Sequence, residues 1–243
     1  MLEENKVYNM DCLDGLRQLK TGSVQAIITD PPYFQGLTQN GQRGDFADLA
    51  ITKPFWRALA REINRVLTPT GEFYIFMDWR GYAFYYPIFA EYLPIKNLIV
   101  WDKGTGPGSF YSYTHEFILY GTKNTGLRRG GSNVWRINGF GAGAVGTDGE
   151  KIHPAQKPIA IMERCLLDST QEGDLVVDLF GGSCTTAAAA IRNNRRFVCF
   201  EVKESTYQKA ARRIDQELER AARGGTADEE TRSKWWRDPP PGL

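Results

Sequence analysis

Residues 174–187 read DLVVDLFGGSCTTA, and this stretch decides the fold. Leu175–Asp178 is a short apolar run of the kind buried on both faces of a parallel sheet, and it ends on an acid. Gly181-Gly182-Ser183 then makes a tight turn, and the small residues that follow, to about Arg192, read as a helix. Strand, acid, glycine turn and helix are the layout of a nucleotide-type cofactor pocket. Glycines let the backbone approach a ligand, and the opening turn of the helix offers free N–H groups. No Lys-Ser or Lys-Thr follows at phosphate-loop spacing, and the G-x-G-x-x-G dinucleotide fingerprint is missing. The next apolar run, 197–201 (FVCFE), puts Glu201 at a strand tip, where an acid suits the two hydroxyls of a ribose. A solvated strand end is an equal reading of Glu201 alone.

The same rhythm of short apolar runs and amphipathic stretches extends outward, which argues α/β with a largely parallel sheet. Val24–Thr29 is a strand stopped by two prolines. Residues 54–67 put Phe55, Trp56, Leu59, Ala60, Ile63, Val66 and Leu67 on one helical face. Residues 72–77, 98–101 and 117–120 read as further strands, 12–20 as a helix and 205–223 as a long charged helix. Residues 104–149 hold 12 of the 25 glycines and read as loops on one rim. From Gly224 the chain is polar and ends in prolines, so a single domain over 1–223 with a tail at 224–243 is expected, Trp235 and Trp236 being the tail's apolar exceptions.

Composition narrows the classes. A 243-residue chain that is 42% hydrophobic can build a sizeable core as one large domain. Four cysteines without a C-x-x-C pair, and only two histidines, argue against a disulfide framework or a metal site. No apolar run approaches the roughly 20 residues of a membrane helix, and MLEENKVYNM does not read as a signal peptide, so a cytoplasmic setting is expected. The net charge of +1 announces no polyanionic partner. Within 95–136, however, Lys96, Lys103, Lys123, Arg128, Arg129 and Arg136 face only Asp102 and Glu116, a local excess of +4. Basic residues among glycine-rich loops suit phosphate contacts, and Arg128-Arg129 is the best single candidate.

The second chemical motif is Asp30-Pro31-Pro32-Tyr33 at the end of the 24–29 strand. Two prolines stiffen the turn and give up their N–H donors, leaving carbonyl acceptors beside a carboxylate and a flat ring. Such a set suits a planar group with an exocyclic amine, as a flipped-out base presents. Taken alone, the four residues read more readily as an ordinary β-turn.

Together the two motifs resemble those of S-adenosylmethionine-dependent DNA amino-methyltransferases, with Asp30-Pro-Pro-Tyr as catalytic motif and Asp178-Leu-Phe-Gly-Gly-Ser as cofactor motif. The catalytic motif comes first, which resembles the permuted β group. Tyr8-Asn-Met-Asp-Cys-Leu, Trp101-Asp-Lys-Gly, His115-Glu-Phe-Ile-Leu-Tyr, Ser132-Asn-Val-Trp and His153-Pro-Ala-Gln-Lys-Pro are also similar to family segments. The resemblance implies a Rossmann-like class I methyltransferase fold, a twisted and largely parallel sheet with helices on both faces. It implies cofactor contacts from Asp11, Cys12, Gln156, Lys157, Asp178, Phe180, Gly181, Gly182, Ser183, Thr185 and Glu201, with Gln156 and Lys157 near the methionine end. Asp11 as a helix N-cap is compatible with that role. The chain departs from the family pattern at Leu179 and Cys184, and a side chain at Cys184 is expected to crowd the cofactor or alter the turn.

The implied activity is methyl transfer to N6 of adenine in DNA, because Asp-Pro-Pro-Tyr is found mostly among adenine enzymes. Asp30, Pro31, Pro32 and Tyr33 would be catalytic, and Lys103, Lys123, Arg128 and Arg129 would contact DNA. Cytosine N4, RNA adenine and an inactive DNA-binding relative remain as alternatives, whereas protein glutamine methyltransferases carry their motifs in the other order. Related enzymes are often dimers, so a homodimer is a further expectation.

Overall fold

The computed structural model describes residues 2–32, 49–108, 110–124, 131–139 and 156–223. Tyr33, Arg128, Arg129 and the 224–243 tail lie outside the described residues.

In chain order the elements are β1 (Lys6–Tyr8), α1 (Cys12–Gln18), β2 (Val24–Thr29), α2 (Leu49–Val66), β3 (Leu67–Met77), α3 (Trp79–Phe89), β4 (Ile95–Asp102) and β5 (His115–Thr122). β6 (Val134–Arg136), α4 (Ile159–Ser169), β7 (Leu175–Asp178), α5 (Thr185–Arg192), β8 (Arg196–Phe200) and α6 (Glu204–Ala222) follow. Among the described residues the strands form one sheet in the order β1-β8-β7-β2-β3-β5-β4-β6. All neighbours pair in parallel except β5, which is antiparallel to both β3 and β4. From β7 the chain moves outward to β8, whereas from β2 it moves the other way to β3. The topology therefore switches between β7 and β2, and ligands of open α/β sheets gather at such a point beyond the carboxyl ends of the strands.

Strand residues alternate between two cores, as the period of two requires. Ile27, Phe73, Ile75, Met77 and Val177 pack with α1, α2 and α3 on one face. Ala26, Ile28, Tyr74, Phe76 and Val176 pack with α4, α5 and α6 on the other. Helices thus cover both faces, as a class I methyltransferase fold requires.

Several elements depart from expectation. α2 starts at Leu49, so Pro54 lies inside the helix. α4 buries eight of its eleven residues and leaves only a narrow outer face at Arg164, Leu167 and Asp168, a weak helical signal beside a long apolar run. The 104–149 segment is not all loop, since β5 and β6 cross it. The charged helix α6 has an inward face of Ala210, Arg213, Ile214 and Glu217, and Glu217 receives Arg192 at 2.6 Å.

Candidate active site

Strands β2 and β7 pair through Ala26–Val176 and Ile27–Val177, which brings Asp30 and Asp178 to one edge of the sheet. Thr29 Oγ1 donates to Asp178 Oδ1 at 3.0 Å and accepts from Leu179 N at 3.1 Å. Phe180 N donates to the same Asp178 oxygen at 3.2 Å. Burial pushes the Asp178 carboxyl up to about 6, and Asp30 adds to the rise, while hydrogen bonds from Thr186, Phe180 N–H and Thr29 oppose it. The end of β2, where the proline turn begins, and the end of β7, where the glycine turn begins, thus lie within hydrogen-bonding distance of each other.

The proline turn is braced from below. Tyr85 Oη, on α3, donates to the Pro32 carbonyl at 3.0 Å. Its ring meets Trp56 edge-on at 4.7 Å, and Trp56 lies 5.7 Å from Phe180 of the cofactor motif. Burial drives the Tyr85 hydroxyl well above the usual tyrosine range, with Asp30 and Asp78 adding to it, so it stays a donor. Neither Tyr85 nor Trp56 stands out as a site residue in the sequence, because both follow the ordinary apolar pattern of buried helices.

The glycine turn is built against β8. Gly181 N donates to Phe200 O at 2.7 Å, and a Cβ at Gly181 would fall 2.4 Å from Cys199 Sγ, so only glycine fits. Gly182 has φ +52°, and a Cβ there would meet nothing nearer than Phe180 O at 4.0 Å, so this side of the turn is open. Glu201 sits just past β8; one oxygen accepts from Gly182 N at 2.9 Å and the other from Lys203 N at 2.8 Å. Ser183 and Thr185 are buried, 3.0 Å apart at their hydroxyls, and Arg213 of α6 donates to Ser183 O at 2.8 Å and to Thr185 Oγ1 at 3.2 Å. An arginine inside a charged helix gives no sequence signal of this role. Asp11 caps α1, its Oδ1 accepting from Leu13 N at 2.8 Å, and Cys12 is buried beside it. An open glycine turn, an acid against its backbone and an aromatic ring at Phe180 fit a cofactor with a sugar and an amino-acid tail.

Cys184 does not crowd that open side. It adopts the left-handed conformation (φ 54°, ψ 41°), is fully buried, and puts Sγ 3.0 Å from Cys199 Sγ beneath the turn. The turn keeps its shape because the residue accepts a backbone conformation that glycine would take without strain.

Lys157 lies against the proline turn that follows β2. Its Nζ lies 2.5 Å from Asp30 Oδ2 and 3.3 Å from Glu116 Oε2, while its neighbour Gln156 is buried. Lys103 Nζ lies 3.1 Å from Glu116 Oε1, so this lysine is engaged in an internal ion pair. Lys123 is at the opposite edge of the sheet, where Thr122 pairs with Glu72, and its Nζ donates to Leu67 O at 3.0 Å. That corrects its expected place on the DNA-facing rim: β5 runs antiparallel, so its end lies away from Asp30. The rim does carry a hairpin between β4 and β5, closed by Lys103 N to Thr114 O at 2.7 Å and Tyr113 N to Pro107 O at 2.9 Å. Phe110 and Tyr111 at its tip are 96% and 90% exposed, which for adjacent aromatic rings is a marked departure from burial.

The family model described as DNA methylase matches residues 24–212. The chain is 30% identical over 241 residues to the type II methyltransferase M.HpaI of Haemophilus parainfluenzae, covering 88% of this chain and 76% of that one. It is 28% identical over 254 residues to the DNA adenine methyltransferase YhdJ of Escherichia coli K12, covering 88% and 83%. Its fold matches that of the Thermus thermophilus protein TTHA0409, solved with S-adenosyl-L-methionine, at a TM-score of 0.67 and 23% identity over 88% and 94% of the two chains. With the ends of β2 and β7 joined through Thr29 and Asp178, and the family model spanning both strands, the chain belongs to the N6/N4 DNA methylase family and is an S-adenosylmethionine-dependent DNA methyltransferase.

Proposed function

We propose that the chain methylates the exocyclic N6 amine of adenine in DNA, with Asp30, Pro31, Pro32 and Tyr33 as its catalytic turn. The observation that carries this reading is the Thr29–Asp178 hydrogen bond, which sets the proline turn beside the glycine turn. S-adenosylmethionine supplies an electrophilic methyl group on a sulfonium. The amine nitrogen is a poor nucleophile because its lone pair is delocalised into the ring. The Asp30 carboxylate and the Pro31 carbonyl accept its two N–H bonds and favour a pyramidal nitrogen with its lone pair directed outward. Methyl transfer would then be one direct displacement, with the nitrogen–carbon bond forming as the carbon–sulfur bond breaks, the neutral thioether S-adenosylhomocysteine leaving, and the amine's proton passing to water, while Asp30 and the Pro31 carbonyl hold the nitrogen in place. Positioning and electrostatics carry the rate, with no covalent enzyme intermediate.

Tyr33 stacks on the flipped base in this reading. Asp11, Phe180, the 181–183 turn and Glu201 form the cofactor side. Arg128 and Arg129 contact DNA phosphates, and the exposed rings of Phe110 and Tyr111 face the bases around the target. DNA as substrate would place the enzyme in the cytoplasm; among the described residues no helix is long and apolar enough to cross a membrane. Self-association into a homodimer belongs to the same proposal and is read by light scattering.

The test is transfer of tritiated methyl groups to unmethylated genomic DNA, followed by nucleoside analysis. N6-methyladenine is the expected product; N4-methylcytosine, or no incorporation, would overturn the adenine assignment. Asp30→Ala should lower transfer by about 1000-fold with cofactor Kd nearly unchanged, and near-normal turnover would refute the catalytic role.

A further inference from the structure

Residues 30–32 make a turn with a single soft dihedral angle. The rings of Pro31 and Pro32 lock φ at both residues. Asp30 and Pro31 each precede a proline, which holds them in extended conformations. That leaves ψ of Pro32. Rotating it swings the Pro32 carbonyl and the direction in which the chain leaves toward Tyr33. The two prolines carry no N–H, so the turn cannot be tied by donors of its own at those positions. Pro32 is exposed, yet its carbonyl accepts at 3.0 Å from the hydroxyl of Tyr85, a fully buried residue of α3. Water can satisfy an exposed carbonyl at many values of ψ, whereas a fixed hydroxyl reaches it at one.

We propose that Tyr85 is a positioning residue for the catalytic turn: its hydroxyl sets ψ of Pro32, and with it the direction from which Tyr33 meets the base. The inference rests on the methyltransferase reading of the turn and goes beyond it, since it gives α3 a part in the reaction. Tyr85 acts through the Pro32 carbonyl and not on the base itself. A stacking ring helps catalysis only if it is in place when the base arrives. Otherwise the cost of ordering it falls on the reaction, and a misplacement of about an ångström is enough to slow transfer markedly. With the one soft angle of the turn fixed from behind, that ordering is done during folding.

The donor is itself firmly seated. Trp56 meets the Tyr85 ring edge-on at 4.7 Å, and the rings of Phe84 and Phe89 lie 5.3 Å and 5.8 Å away. Gly81, one turn earlier on α3, makes room for the ring, because a Cβ there would fall 3.3 Å from Tyr85 Cδ2. A ring packed this closely cannot follow the carbonyl, so the carbonyl must come to the hydroxyl. Burial, with Asp30 and Asp78 adding to it, holds the hydroxyl well above the usual tyrosine range, and it therefore remains a donor at any pH used for the assay.

The experiment compares wild type, Tyr85→Phe, Tyr33→Ala and the double variant Tyr33→Ala/Tyr85→Phe. Three quantities are measured: cofactor Kd, single-turnover methyl transfer to unmethylated genomic DNA at saturating cofactor, and an NMR signal of the turn. Pro32 is the one proline in the chain that a tyrosine follows. Protein labelled with carbonyl-13C proline and 15N tyrosine therefore gives a single carbonyl–amide cross-peak, from the peptide that Tyr85 holds. Tyr85→Phe keeps the ring against Trp56, and so the contact of Trp56 with Phe180, and removes only the hydroxyl. It should shift the cross-peak and lower the single-turnover rate by about tenfold or more, with cofactor Kd within about twofold of wild type. The double variant should fall within about twofold of Tyr33→Ala alone, because both changes remove one contribution. A rate for Tyr85→Phe equal to wild type would overturn the proposal whatever the spectrum shows. Losses that multiply in the double variant, or a loss of cofactor affinity as large as the loss of rate, would make Tyr85 a packing residue and overturn it as well. Because the cross-peak needs no turnover, an inactive wild type would refute the methyltransferase reading, while the spectrum would still decide whether Tyr85 holds Pro32.

Discussion

Thr29 and Asp178 are 149 positions apart and 3.0 Å apart in space, joined by a hydrogen bond from Oγ1 to Oδ1. The same hydroxyl accepts from Leu179 N at 3.1 Å, so one side chain satisfies a buried donor and a buried acceptor on the neighbouring strand. This bond is the link between the two motifs. Thr29→Val keeps the shape and removes the hydroxyl, taking the acceptor from Leu179 N–H and leaving Asp178 to Phe180 N–H and Thr186, at a cost of about 1–3 kcal/mol. Urea unfolding should show a lower midpoint with an unchanged slope, and Thr29→Ser should restore most of it. An unchanged midpoint in Thr29→Val would show that the link carries no stability.

Asp178 gives a pH signature of its own. Its carboxyl titrates at about 6 in the folded chain against a usual 3.8, chiefly through burial. The folded state therefore holds this proton more tightly than the unfolded one. Below pH 3.8 the group costs nothing, and as the pH rises through 6 it destabilises by up to something on the order of 2–3 kcal/mol. Asp178→Asn removes the titration while keeping an acceptor for Thr29. The variant should gain stability relative to wild type at about pH 7.5, with the gain shrinking toward about pH 5. A difference that stays constant across that range would contradict the assignment.

Cys184 is a residue whose backbone, rather than its thiol, sets what can replace it. Its φ of 54° suits glycine and disfavours a β-branched side chain strongly. Cys184→Gly relieves the conformation but empties space beside Cys199, and the two effects should nearly cancel, within about 1 kcal/mol. Methyl transfer should stay within about twofold of wild type, since the side chain points away from the open face of the turn. Cys184→Val should lose several kcal/mol in thermal unfolding, and equal stability of the valine and glycine variants would contradict this.

The exposed rings of Phe110 and Tyr111 lead to a substrate-dependent prediction. Aromatic side chains on the catalytic rim can fill the gap or stack on bases as one base leaves the duplex. The double variant Phe110→Ala/Tyr111→Ala should lose about tenfold or more in methylation of matched duplex DNA. A duplex mismatched at the target base, which is easier to open, should restore most of the loss. Equal rates for variant and wild type on matched DNA would rule out this role.

The sequence by itself determined the ends of the strands that matter. Val24–Thr29 and Leu175–Asp178 are the observed bounds of β2 and β7, because prolines and glycines terminate apolar runs by local dihedral limits that hold in any context. The motif order, the mostly parallel sheet and the helix N-cap at Asp11 were legible for the same reason. The direction of β5 and the existence of α4 were not, since a strand's pattern carries no sense and α4 shows only a narrow outer face at Arg164, Leu167 and Asp168.

Only the tertiary structure decided which charges meet. Local composition counts Lys103, Lys123 and Lys157 alike, yet one pairs with Glu116, one lies at the far edge on Leu67 O, and one sits against Asp30. Pairing across a sheet depends on strand order and direction, and the energy of a charge depends on what surrounds it in space. Neither quantity is a property of a stretch of residues. For that reason the support of the proline turn by Tyr85, and of the glycine turn by Arg213, becomes visible only once distant segments have packed.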